Sequence, residues 1–145
     1  MDAFDTLAPV SETYATLPVA AAFDWSDVAA QLGEGEWYLV VFRSIRRIDA
    51  DERRLAEYDD RAHNEAQSAP GFIHYFKGPA ASDRSCLSFC MWTSRSEARA
   101  AAGRPDHVAA VSVRPSHGAS VMLLIVCTAT PRSSHSRPSA SKSAA

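Results

Sequence analysis

The stretch WYLVVFRSIRRIDADERRLAEYDDRAHNEAQSAPGFIHYFKGPAASDRSCLSFCMWTSRSEARAAAGRPDHVAA, residues 37–110 of a 145-residue chain, decides the fold. Its punctuation reads strand, helix, strand, strand, helix. Trp37 to Ile45 opens it, and Tyr38, Leu39, Val40, Val41 and Phe42 run apolar without alternation. A strand buried on both faces has that pattern. Arg43 sets a cation directly behind the run, and Arg46 and Arg47 close it. Asp49 and Glu52 then make a capping-box pattern, followed by Leu55, Tyr58, Ala62, Ala66 and Ala69 as one apolar helical stripe. Pro70-Gly71 ends that helix.

Phe72 to Lys77 and Cys86 to Thr93 are the next two strands, broken apart by Gly78-Pro79 and a short polar loop. So short a loop pairs them antiparallel. Ser94 with Glu97 forms a second capping box, which opens a helix through Ala102. Gly103 and Pro105 interrupt it, and Asp106 to Ala110 adds a further turn. One more strand would complete two strand-helix-strand halves.

Working outward, residues 1–35 read as a partly extended N-terminal arm. A short helix is expected in FDWSDVAAQL (23–32), capped by Asp24 or Ser26. Phe23 and Trp25 are large for a loose tail and are expected to dock the arm onto the domain, in preference to holding a ligand. Residues 36–111 form the α+β domain. Residues 112–145 are an atypical basic, Ser-rich tail, with a substitute strand at 120–127 and disorder beyond it. All 17 acidic residues lie at or before Asp106, whereas Arg114, Arg132, Arg137 and Lys142 follow it. That shift marks a boundary between unlike segments.

Composition narrows the function classes. A net charge of −2 gives no reason to expect nucleic acid or an acidic membrane surface as partner. The N-terminus MDAFDTLAPVSE carries no signal-like apolar region, and the apolar run Val121 to Cys127 is too short to span a bilayer. Of the three cysteines, Cys86 and Cys90 sit on one strand face, roughly 13 Å apart, too far to bridge. A reducing, cytoplasmic setting follows. No phosphate loop, dinucleotide fingerprint, nucleophile elbow or H-E-x-x-H stands in the chain, and the five histidines lack ligand spacing, so no metal site is expected.

The segments GEWYLVVFRSIRR (35–47), AHNEA (62–66), GFIHYF (71–76), CLSFCMW (86–92), SRSEARAA (94–101) and PDHVAA (105–110) go further than element order. Together with FDWSDV (23–28), they resemble an uncharacterised fungal protein family that is similar to the dimeric α+β barrel superfamily, which includes the antibiotic-biosynthesis monooxygenases. The resemblance implies a ferredoxin-like βαββαβ subunit with a four-stranded antiparallel sheet and two helices on one face. It further implies a homodimer in which two sheets meet as a barrel, and a pocket between sheet and helices. After PDHVAA the chain departs from the family pattern. The departure predicts that residues 112–145 come from an altered reading frame or a retained intron in the gene.

Several side chains are candidates for chemistry. His63 lies one helical turn after Asp59, where a carboxylate would orient an imidazole general base. The plainer reading is a half-exposed histidine making a local contact. His74 and Tyr75 alternate on a strand, so they face opposite sides. His74 is expected to share its face with Phe72 and Phe76, as a core or ligand-lining residue. Tyr75 is expected either to hold a developing oxyanion or to fill the face with its hydroxyl at the rim. Arg43, if inward, needs an anion, supplied by Asp59, Glu65 or a ligand. Trp92 is core or ligand wall, and His107 faces the cleft of His63.

Two functions follow. The first is a small-molecule enzyme of monooxygenase, cyclase or decarboxylase type, without bound cofactor, acting on a hydrophobic aromatic or polyketide-like substrate. Its catalytic residues would be His63, Asp59 and Tyr75, and its substrate-binding residues Arg43, His74, Trp92 and His107. The alternative is a non-catalytic dimeric module that binds a metabolite or another protein.

Overall fold

The computed structural model describes residues 2–113 and the backbone of the strand 121–128. The tail's expected disorder, with His117 and His135, falls outside the described residues. A four-stranded antiparallel sheet organises the chain: β1 (Glu36–Ile45), β2 (Phe72–Lys77), β3 (Ser85–Trp92) and β4 (Val121–Thr128), in the order β2-β3-β1-β4. Helix α3 (Glu52–Gln67) crosses from β1 to β2, and α4 (Arg95–Ala102) with α5 (Pro105–Ser112) crosses from β3 toward β4. This is the ferredoxin-like order. Its closing strand is the segment Val121–Thr128, paired with β1 from Glu36↔Thr128 to Arg43↔Val121.

Local chemistry sets the boundaries. Asp51, not Asp49, caps α3, its carboxylate accepting from the Arg54 N–H at 3.0 Å. Asp49 is drawn off by Arg47, in a two-pronged pair at 2.8 Å. Ser94 caps α4 as its box pattern requires, accepting from the Glu97 N–H at 3.3 Å while Glu97 receives the Ser94 hydroxyl at 2.8 Å. Gly71, between α3 and β2, sits at φ +77°, a turn that a Cβ would drive into the Glu97 carboxylate.

The sheet is covered on both sides, as the unbroken apolar run in β1 demands. Tyr38 and Val40 face the helices, with Trp92, Ala69, Ala98 and Ala101. Leu39 and Val41 face the other way, with Leu87, Phe89 and Met91, against the N-terminal arm. The arm is made of short turns rather than extended chain: 3-10 turns at Ala3–Thr6 and Tyr14–Thr16, then α1 (Val19–Ala22) and α2 (Ser26–Leu32). Phe4, Tyr14, Val19, Ala22, Phe23 and Val28 are its buried side chains. Phe23 meets Tyr14, Trp25, Phe76 and Phe89 edge-on at 4.8–5.8 Å, a favoured aromatic geometry.

Candidate functional site

The helix side of the sheet is hollow. Large residues rise from the strands, namely Tyr38, Phe42, Tyr75 and Trp92, while the helices answer with alanines, Ala62, Ala66, Ala98 and Ala101. Small side chains opposite large ones leave a cavity of about 100 Å³. Helix α3, whose apolar stripe faces this space, has no fully buried residue. A second cavity of about 200 Å³ lies toward the start of α3 and shares Phe42, Asp59, Tyr75 and Ala110 with the first. Single-ring ligands enter dry apolar cavities of about 150 Å³. Neither chamber alone therefore holds much more than one ring, and two rings require both.

Tyr75 stands in the wall shared by the chambers. Its hydroxyl donates to both oxygens of Asp59, at 2.8 and 3.0 Å, and the Lys77 ammonium pairs with Asp59 at 2.8 Å. Burial, and then the Asp59 charge, push the Tyr75 phenol well above its ordinary pKa, so it stays protonated. His63 lies against the Tyr75 ring at 4.7 Å and against Phe72 at 6.1 Å. His107 lines the same cavity from α5, 6.5 Å from the Phe42 ring. Glu65 fixes α5 there: its carboxylate accepts from the backbone N–H groups of Asp106 and His107 at 3.0 and 3.1 Å. A carboxylate at a helix start also complements the helix dipole. Arg61 adds an ion pair to Asp106 at 2.7 Å.

Of the residues singled out in the sequence, His63, Asp59, Tyr75, Trp92 and His107 come together around this cavity. The pairing inside the group differs from expectation. Asp59 accepts from Tyr75 and pairs with Lys77, and His63 donates no hydrogen bond to it. Lys77 is the member that sequence reasoning missed, although its position two residues after Tyr75 puts it on the same strand face.

Arg43 and His74 lie on the other side of the sheet. Arg43 donates from its two terminal nitrogens to the backbone carbonyls of Ala15 and Leu17. Those carbonyls meet its need for acceptors, in place of Asp59, Glu65 or a ligand, and burial lowers its pKa. His74 stacks on Phe4 at 4.4 Å with an interplanar angle of 18°. It does not share a face with Phe72, because a β-bulge shifts the register between Phe72 and His74. The extra residue, Ile73, breaks the alternation: Phe72 packs with Trp92 on the helix side, whereas Ile73, His74 and Phe76 pack with the arm.

Among the described residues no cluster of His, Cys, Asp and Glu could hold a metal ion. Nor, among them, is any helix long and apolar enough to cross a membrane.

Comparison with solved structures shows the fold. The chain is similar to SnoaB, a cofactor-independent oxygenase from Streptomyces nogalater, with a TM-score of 0.53 and 16% identity over 68% of this chain and 97% of that one. It is also similar to a putative antibiotic biosynthesis monooxygenase from Nitrosomonas europaea, with a TM-score of 0.53 and 11% identity over 67% of this chain and 92% of that one. Identities so low establish architecture alone. Among curated proteins, the UPF0643 protein PB2B2.08 of Schizosaccharomyces pombe is 31% identical over 115 residues, 67% of this chain and 52% of that protein. The chain thus spans about half the length of the curated relative it matches. The sequence profile of one family matches residues 1–123, arm and sheet together, and the chain belongs to that PB2B2.08-like family.

Proposed function

We propose that the cavity between sheet and helices binds a small hydrophobic ligand of one or two aromatic rings, and that His63 acts there as a general base. The observation that carries this is the convergence of two imidazoles and a half-buried Tyr75–Asp59 pair on a largely apolar space, the usual make-up of a small-molecule site. Proton removal from carbon next to a carbonyl, or from a phenol, is a step that serves both cyclases and cofactor-independent oxygenases. His63 lies in the wall with its ring against Tyr75, positioned for that step. Tyr75 keeps its proton on Asp59. Its role is to set the wall and the His63 ring face, rather than to carry an oxyanion. Lys77 pairs with Asp59 at 2.8 Å and anchors the carboxylate to which the Tyr75 hydroxyl donates. A cytoplasmic setting belongs to this reading and is supported by the free thiols of Cys86 and Cys90.

A second reading is favoured by one observation. His63 lacks the hydrogen-bonded carboxylate that usually orients a catalytic imidazole, and a pocket that only binds has no need of one. The two readings separate with 2-indanone, a bicyclic ketone with acidic α-hydrogens. Binding is followed by the shifts of the His63, Tyr75 and Trp92 resonances, and catalysis by α-deuterium exchange in D₂O. The enzyme reading expects exchange above buffer that falls about 100-fold in His63→Gln. Binding without exchange leaves the non-catalytic module. No binding by this or a single-ring ketone refutes the cavity as a ligand site.

A further inference from the structure

We propose that the sheet face opposite the helices is closed by the chain's own N-terminal arm, and that this face is therefore not where a second copy binds. A sheet whose central strand is apolar on both faces, as β1 is from Tyr38 to Phe42, has to bury both, and here the covering layer lies within the chain. The arm supplies Phe4, Tyr14, Ala15, Val19, Ala22, Phe23 and Val28 to the buried cluster, and the sheet supplies Leu39, Val41, Leu87, Phe89 and Met91. Phe89 and Val41, at the centre, are fully buried with no partner chain present.

Polar ties fix the arm in place. Arg43 donates to the Ala15 and Leu17 carbonyls, and the Tyr14 hydroxyl donates to the Pro79 carbonyl at 3.1 Å. The arm's two ends are clasped to each other: the Ala3 N–H donates to Gln31 Oε1 at 2.6 Å, and Gln31 Nε2 donates to Asp2 Oδ1 at 3.0 Å. A guanidinium whose terminal nitrogens donate to two main-chain carbonyls has those donors committed within the chain, and it cannot leave without stranding the carbonyls of Ala15 and Leu17.

The connection into β1 favours closure within one chain. Gly33, Glu34 and Gly35 link α2 to β1, and Gly33 takes φ +74°, open to glycine at no cost. An unstrained link gives no drive toward exchanging the arm with a neighbour, whereas a strained hinge does. A second copy docking at this face would have to expel five large side chains and break the Arg43 clamp. A homodimer, as the resemblance implies, is compatible with the closed face only through another surface.

The test uses the full-length chain, half of it labelled with ¹³C and ¹⁵N, mixed with unlabelled chain. Isotope-filtered NOE spectra are expected to show contacts from Phe89 and Leu87 to Phe23 and Val19 within one molecule and none between molecules. An intermolecular contact to Phe89, from a partner's arm or a partner's sheet, overturns the proposal. Arg43→Met supplies a second measurement. Amide exchange in the Ala15–Leu17 segment should quicken by roughly ten-fold or more, from the loss of the two charged hydrogen bonds to the Ala15 and Leu17 carbonyls, while the β2–β3 hairpin is unchanged. Unchanged exchange in that segment would overturn the clamp, and the closure with it.

Discussion

The two faces of one sheet are built to opposite ends. On the arm side, aromatic and branched side chains interlock around Phe23 and Phe89, and Arg43 and His74 are spent on holding the arm. On the helix side, alanines stand over Tyr38, Phe42, Tyr75 and Trp92 and leave open space. The polar residues there, His63, His107 and the Tyr75–Asp59 pair, border that space. The difference teaches where to look for function. Close packing pins side chains in one arrangement and excludes a ligand, whereas a polar-edged cavity accepts one. It also separates residues of the same type: His74 packs against Phe4, whereas His63 lines the cavity.

The largest effect that should follow from this contrast is at Phe23. Truncation to alanine removes the ring at the centre of four aromatic contacts and should cost about 3–5 kcal/mol in urea unfolding. A cost below about 1 kcal/mol, the range of exposed positions, would mean that the arm is not part of the core.

A matched pair of enlargements sharpens the comparison. Ala22 is fully buried on the arm side, while Ala66 lines the cavity. Ala22→Leu should destabilise by about 1–3 kcal/mol, because a close-packed region has no room for three added carbons. Ala66→Leu should be neutral or stabilise by up to about 1 kcal/mol, since it fills a void. It should also weaken 2-indanone binding, which Ala22→Leu should not do when measured on the folded fraction. Equal costs at the two positions would erase the distinction between a filled and a hollow face.

Much of this arrangement was legible in the residues, and the failures have physical causes. The run Tyr38 to Phe42 required cover on both faces, and Ser94 with Glu97 announced a helix start. Phe23 and Trp25, large residues in a segment read as partly extended, already marked the arm as a layer that docks on the domain. What misled was the arm's composition: Pro9, Pro18, Gly33 and Gly35 signal irregular chain, and irregular chain packs as tightly as helix when short turns present enough aromatic surface. At the site, the group around the cavity followed from its position on helix and strand. The internal pairing did not, since three donors competed for Asp59 and only distances decide among them. His74 was grouped correctly with Phe76 but wrongly with Phe72, because strict alternation was applied across a bulge, and Phe72-Ile73-His74 contains no glycine to announce one.

The smallest expected effect is the most specific to the filled face. Burial depresses the His74 pKa, with nearby His63 adding to the depression and Asp2 and Asp5 opposing it. The folded state therefore holds a neutral imidazole against Phe4 at a pH where the unfolded chain would protonate it. Above the unfolded value of about 6.5 the stack contributes in full. As pH falls through that value the unfolded state takes up the proton first, so stability drops, and the drop levels off once the folded His74 also protonates. Urea midpoints between pH 7.5 and 5 should accordingly fall more steeply in the wild type than in His74→Phe, which keeps a ring on Phe4 and removes the titration. Comparing the two chains cancels the other histidines, and the window lies above the range in which Asp2, its pKa lowered by the Phe4 N–H and Gln31, gains its proton. Parallel pH profiles would mean that His74 is hydrated in both states, and that the arm's first turn does not seal the sheet edge as Phe4 indicates.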